Sequence, residues 1–127
     1  DEISFPEVQY DIGKFTLRPE SKDSLNYLYQ TLVDNPTIVI ELAAHTDSRG
    51  SNQANQTLSE DRAKSCVEYL VSKGIAPARM KAKGYGENKL RVSDAKINAL
   101  PAAEREAAHQ KNRRTVFSVL SWDYMPN

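Results

Sequence analysis

The chain is short of the residues that would point to several common chemistries. A single cysteine, Cys66, excludes an internal disulfide and leaves no companion for a cysteine metal site. Only two histidines occur, His45 and His109, and neither has a second histidine or paired carboxylate at ligand spacing, so no metal is expected. Net charge is absent: Lys plus Arg and Asp plus Glu are 17 each, so there is no overall field to gather phosphates and nucleic acid is not an expected partner. No apolar run approaches the ~20 residues that span a bilayer, and nothing at the start reads as a signal peptide. The chain as given is therefore expected to be soluble. It begins at Asp1 rather than at a methionine, which suggests a processed protein or an excised domain whose targeting and anchoring segments lie elsewhere; membrane association would come only through them. There is no internal repeat, no serine elbow and no cofactor motif, so no cofactor and no catalytic residue is expected. With 127 residues, the length suits one domain with one core and one site.

What is present is periodicity. Residues 8–12 alternate as a strand, and residues 13–18 lead to Pro19, a favourable first helical residue. Leu25, Leu28, Leu32 and Val33 then recur at helical spacing until Asn35-Pro36 stops them. Residues 37–44 are short and β-branched and read as a central strand. A second helix is expected over 52–73, with an irregular first turn and a restart capped by Ser59, ending at Gly74. Cys66 lies with Ala63, Val67 and Leu70 on its apolar stripe and reads as core. A third strand is expected over 79–86, a short surface helix over 101–109 in an otherwise irregular segment, and a last strand over 113–120 with Arg113 and Arg114 on opposite faces. The order β-α-β-α-β-β predicts an α+β two-layer sandwich, a mixed four-stranded sheet with two main helices on one face. The expected domain is 8–121, between an N-terminal extension of residues 1–7 and a tail of residues 122–127.

The polar connection from Ala44 through Gly50 to Arg62 is where the site is expected. Asp47 follows an apolar strand and Arg62 lies early in a helical pattern, so a fixed anion and a fixed cation can meet at one cleft, an arrangement suited to a zwitterion. Gly50 permits a left-handed turn, and Ser51 or Asn52 can cap the helix, whose first-turn donors would favour an anion beside Arg62. On residue types alone the simpler reading is a structural ion pair of Asp47 with Arg62 or a neighbour. His45 reads as a local hydrogen-bonding residue, His109 as surface, Tyr27, Tyr29, Tyr69 and Tyr85 as packing, and Glu104-Arg105-Glu106 as a solvated helix face.

The run His45-Thr46-Asp47-Ser48-Arg49-Gly50-Ser51, then Asn55, Leu58-Ser59, Arg62-Ala63, Tyr69-Leu70, Gly74, Gly84-Tyr85-Gly86-Glu87 and Asn112-Arg113-Arg114 resembles the OmpA-like peptidoglycan-binding domain. The resemblance covers nearly the whole chain. It implies the same α+β sandwich and a non-enzymatic role: anchoring an outer-membrane or envelope protein of a Gram-negative cell to peptidoglycan from the periplasm. It also implies that Asp47 and Arg62 hold the ammonium and carboxylate of diaminopimelate in the stem peptide, that Asn55 helps to position this ligand, and that Arg113 reaches the stem peptide. Asp11, Gly13, Thr46, Ser48 and Leu58 are secondary candidates. The chain departs from the family at Gly13, which offers no side chain where Asn or Asp is usual, and at Ala44, where Gly is usual; the segment 90–110 is longer than in the shortest members. Two other readings compete: a protein-interaction module, for instance a dimerising domain of an envelope complex, and a cell-wall amidase or peptidase using Asp47 with His45.

Overall fold

The computed structural model describes residues 2–8 and 19–125, and within them the element order is β1 (Glu2–Val8), α1 (Pro19–Asp34), β2 (Val39–His45), α2 (Asn52–Ser72), a 3-10 turn (Pro77–Arg79), β3 (Met80–Gly84), α3 (Asp94–Asn98), α4 (Ala102–Asn112) and β4 (Arg114–Ser121). The strands form one sheet in the order β1-β4-β2-β3, with β2 and β3 parallel and the other neighbours antiparallel. Strands β2, β3 and β4 lie where the alternation places them. The expected first strand, residues 8–12, falls almost wholly outside the described residues. The described edge strand beside β4 is Glu2–Val8, in the stretch assigned to an extension and read as at best a brief edge strand because of Pro6. A proline is tolerated on an edge, and the register slips between Ile3 and Val8 around it.

Register fixes the faces. Ile40, Leu42 and Ala44 pair with Val119, Phe117 and Thr115, so these six share the face covered by the helices. There Leu25, Leu28 and Leu32 of α1 and Cys66 and Leu70 of α2 join Ile40, Leu42 and Phe117 in the core. The opposite face carries Glu41, Ala43 and His45, with Tyr85 reaching across to donate its hydroxyl to Glu41 at 2.8 Å. A slip between Val39 and Ile40 leaves Leu120 exposed at the end of β4.

The terminus of α1 depends on a distant residue. Arg79 is buried and donates to the carbonyls of Leu32, Asn35 and Ile38, satisfying acceptors that the helix end leaves open. The α2 helix is continuous from Asn52 to Ser72, so the expected restart at Ser59 does not occur. Ser59 is fully buried and spends its hydroxyl on the carbonyl of Gln56 and the amide of Gly86, 2.9 Å from each. Beside it α2 lies directly on Gly84. A Cβ there would come within 2.4 Å of both the Glu60 amide nitrogen and Ser59 Oγ, and a backbone atom cannot move aside as a side-chain tip can.

Replacing Gly84 by Ala is expected to lift α2 from β3 and to destabilise the domain by about 1–3 kcal/mol, the usual range for overpacking. Denaturant unfolding of the variant checks this; an unchanged midpoint would mean that the contact relaxes freely.

Candidate functional site

The polar connection after β2 is built by local rules. Gly50 has φ of +93°, a conformation that L side chains rarely adopt, and it turns the chain from strand to helix. Ser51 caps α2, its Oγ accepting from the Ala54 amide at 3.1 Å. Asn55 braces the same turn with its side-chain amide, which donates to the carbonyls of Asp47 at 3.3 Å and Arg49 at 3.1 Å and to Glu87 at 3.0 Å. Thr46 is fastened to the far side by its amide, which donates to Gly86 at 2.9 Å. The connection is therefore held from the helix and from the chain beyond β3.

These elements enclose a groove of about 740 Å³ that runs along α2. Ser51, Ala54, Asn55, Leu58, Asp61 and Arg62 line it at helical spacing, and Thr46, Asp47, Arg49 and Arg113 face them. The structure thus brings together Asp47, Asn55, Arg62, Arg113, Thr46 and Leu58. It does not bring in Ser48, which bonds to Asp94 instead and is absent from the groove lining. Asp11 and Gly13 lie outside the described residues. Arg62 sits at the floor, 0% exposed, and donates to the His45 carbonyl at 3.3 Å. Because α2 is unbroken, Arg62 lies roughly 15 Å from the helix start. The first-turn donors at the Ser51 cap therefore do not act at Arg62, contrary to expectation, since that effect is confined to the terminal turn.

Asp47 is 5% exposed and is held by two arginines. Arg49 donates its backbone amide at 3.0 Å and its guanidinium at 2.8 Å, and Arg113 donates at 2.7 Å. Arg113, expected to extend toward a ligand, instead lies on Asp47 and is clamped by Glu106 at 2.9 Å and Gln110 at 2.5 Å. Arg49 also reaches Glu106, at 3.1 Å. Asp47, Arg49, Glu106 and Arg113 therefore close a ring of alternating charge. Burial opposes the charge on both carboxylates, yet the guanidinium hydrogen bonds together more than offset it, and Asp47 and Glu106 titrate below the usual carboxylate range.

Reading Glu104-Arg105-Glu106 as a solvated face missed this ring, because Glu106 pairs with residues distant in sequence. The available signal was Glu106 and Gln110 at i and i+4 within the lengthened segment 90–110, which places both on one side of α4. The other members of Asn112-Arg113-Arg114 serve the loop. Asn112 is fully buried, accepting from the Arg91 and Val92 amides and donating to the Val92 carbonyl. Arg114 donates to the carbonyls of Asn112 and Lys89.

His45 is not the local hydrogen-bonding residue expected. Its imidazole is 2% exposed, stacks on Tyr85 at 5.2 Å between centroids, and has no partner on either ring nitrogen among the described residues. It lines a shallow cleft of about 210 Å³ on the open sheet face, not the groove. The separation arises because β2 ends at His45 and the chain leaves the sheet before Asp47, which turns into the groove, so His45 is no base for Asp47. Burial first, then the cations Arg114, Lys89 and Arg91, lower its pKa to about 3.

An α+β sandwich with a charged groove between a strand end and the flank of a helix has the layout of a recognition module. The chain belongs to the OmpA family, whose model matches residues 9–104, a stretch that includes Asp47, Asn55 and Arg62 and stops short of Arg113. It is 35% identical over 115 residues to outer membrane porin F of Pseudomonas fluorescens, covering 89% of this chain and 32% of the porin. It is 42% identical over 83 residues to outer membrane protein A of Serratia marcescens, covering 64% of this chain and 23% of that protein. The chain thus spans about a third or less of the length of these curated relatives. Its fold is similar to the peptidoglycan-associated lipoprotein from Burkholderia pseudomallei, with a TM-score of 0.76, 24% identity and coverage of 89% of this chain and 88% of that one. The C-terminal domain of Helicobacter pylori MotB is likewise similar, with a TM-score of 0.77, 13% identity and coverage of 93% and 86%. Among the described residues no helix is long and apolar enough to cross a membrane.

His45 fixes the sign of one pH response. In the unfolded chain it takes up a proton near pH 6.5, in the folded domain only near pH 3, so its contribution is complete above 6.5 and is lost as pH falls through that window. The expected loss is up to about 1.4 kcal/mol per pH unit. Asp47 and Glu106, whose pKa values are lowered, add their own loss below pH ~4. Chemical denaturation across pH should show both limbs, and His45→Gln should flatten the upper one alone; an unchanged slope between pH 6 and 4.5 in that variant would assign the effect elsewhere.

Proposed function

We propose that this chain is a non-catalytic peptidoglycan-binding domain, which recognises diaminopimelate in the stem peptide and holds an envelope protein to the cell wall from the periplasmic side. The observation that carries the reading is the groove itself: Asp47 and Arg62 line one concave surface that continues along several turns of α2. Asp47 receives the ligand ammonium, and Arg62 receives the adjacent carboxylate by two parallel hydrogen bonds. Asn55 acts on the ligand through the turn it braces. Arg113 keeps the Asp47 carboxylate ionised and aimed, and so meets the ligand at that carboxylate. Thr46, whose buried hydroxyl has no partner among the described residues, and Leu58 offer one polar and one apolar contact on the groove walls.

Three further points support this reading. The volume lies within the range typical of ligand sites and exceeds the needs of a lone amino acid, as a peptide ligand requires. Family membership connects the chain to outer-membrane proteins, and one neighbour of the same fold is a peptidoglycan-associated lipoprotein. The amidase alternative needs Asp47 and His45 in one site, whereas they line different clefts on opposite sides of the sheet. Two charge-assisted contacts in a wet groove suggest a Kd of ~1 μM to ~1 mM for a stem-peptide fragment. Many sites on one polymer raise the effective affinity.

The test is an NMR titration with a diaminopimelate stem peptide beside its lysine counterpart. Saturable shifts are expected at Asp47, Asn55, Leu58 and Arg62, weaker for the lysine peptide. Asp47→Asn and Arg62→Met, the latter keeping the buried volume filled, should each weaken binding at least about tenfold while the spectra remain folded. Absence of shifts at millimolar peptide, in the wild type and equally when Arg49 is replaced, would discard the reading in favour of a protein-interaction surface.

A further inference from the structure

A ligand approaching Asp47 meets a carboxylate that already carries two guanidiniums, and the two are not equivalent. Arg113 is 4% exposed and is secured on Asp47, Glu106 and Gln110 at once. The side chain of Arg49 is 40% exposed, and its ion pairs, at 2.8 Å to Asp47 and 3.1 Å to Glu106, both run through one nitrogen, Nη2. The backbone of Arg49 is pinned separately: its amide donates to Asp47 Oδ1 and its carbonyl accepts from Asn55. The side chain can therefore leave without disturbing the turn, and Glu106 gives it a second partner outside the contact it vacates.

We propose that Arg49 is the residue that sets affinity and selectivity in this groove: in the free protein its guanidinium occupies the place of the ligand ammonium on Asp47, and on binding it moves onto Glu106 alone. The proposal rests on the reading of Asp47 as the ammonium acceptor. Its chemistry is the exchange of one cation for another at a fixed carboxylate. A ligand offering only an ammonium gains little from that exchange, because the contact it makes replaces one already present. A zwitterion adds a carboxylate contact at Arg62, for which Arg49 does not compete. Arg49 thus lowers the affinity of every ammonium ligand and leaves the carboxylate contact untouched. Glu106 belongs to the device, because without it the displaced guanidinium would have only water as a partner.

The experiment compares wild type with Arg49→Gln, and with Arg49→Ala as a second variant, in titrations with the diaminopimelate stem peptide. The backbone contacts of residue 49 survive in both. In parallel, the guanidinium signals of Arg49 are followed in the wild-type protein, where a purely structural ion pair would give no change on binding. Both variants should bind roughly two- to tenfold more tightly, as expected from removing a partly exposed, charge-assisted competitor. The wild-type Arg49 signals should lose their Asp47-dependent shift as peptide saturates. Binding by wild type with equal or weaker binding by both variants overturns the role of Arg49 and leaves the cell-wall reading standing. Binding by neither wild type nor variants overturns both. Binding seen only once Arg49 is replaced supports both, since it means the internal cation holds Asp47 too firmly for the fragment.

Discussion

The approach of α2 to Gly84 is the contact on which the geometry of the groove depends. The Glu60 backbone and the Ser59 hydroxyl of the helix meet a strand end there that has room for no Cβ, and three hydrogen bonds tie the region together. Gln56 donates to the Gly84 carbonyl at 2.6 Å, the Gly86 amide donates to Ser59 at 2.9 Å, and the Thr46 amide donates to the Gly86 carbonyl at 2.9 Å. The first two set the height of α2 above β3, and the third sets the start of the Asp47 turn against the same point. Asp47 and Arg62 come from different elements, yet both are positioned from Gly84 to Gly86. Groove charges can be spaced reliably only if their supports share a rigid reference.

Within that frame the energetics are those of buried charge. A carboxylate as enclosed as Asp47 is costly unless paired, because its lost hydration must be replaced by directed donors. The described contacts supply three, of roughly four that a carboxylate can accept. Two of the three come from guanidiniums, and one of these is fixed from α4. The segment before β4 is thus part of the site, because Glu106 and Gln110 orient Arg113 and thereby Asp47. A shorter segment would have to hold Arg113 by other means.

Sequence reasoning reached the parts of this molecule that follow from local rules. Helix α1 begins at Pro19 and α2 at the Ser51 cap, and β2 is the central strand that the β-branched run implies. Asp47, Asn55 and Arg62 were legible as groove residues because strand, turn and helix follow one another without interruption. What was not legible depends on contacts far apart in the chain. Nothing within ten residues of Glu106 shows that it faces Arg49, and nothing near Arg79 shows that it closes the end of α1. The restart proposed at Ser59 was a local inference defeated by tertiary packing: its hydroxyl fits a capping role but is consumed under Gly86. His45 illustrates the same limit: alternation would put it on the same side as Asp47, two residues on, but the strand ends at His45 and the chain turns away before Asp47.

The isolation of His45 on the open sheet face bears on how such a domain tolerates its surroundings. An imidazole stacked on Tyr85, near Lys89 and Arg114, with its pKa lowered to about 3, stays neutral through the range around pH 6.5. The sheet end that supports the groove therefore keeps one charge state across the range in which an ordinary histidine would switch. The groove charges behave likewise: arginines remain protonated, and Asp47 and Glu106 are held ionised well into acid. Salt is the stronger influence, because the exposed side of the ring at Arg49 and Glu106 is open to screening while the enclosed Arg113–Asp47 pair is not. Rising ionic strength should thus loosen the internal cation before it disturbs the carboxylate beneath it.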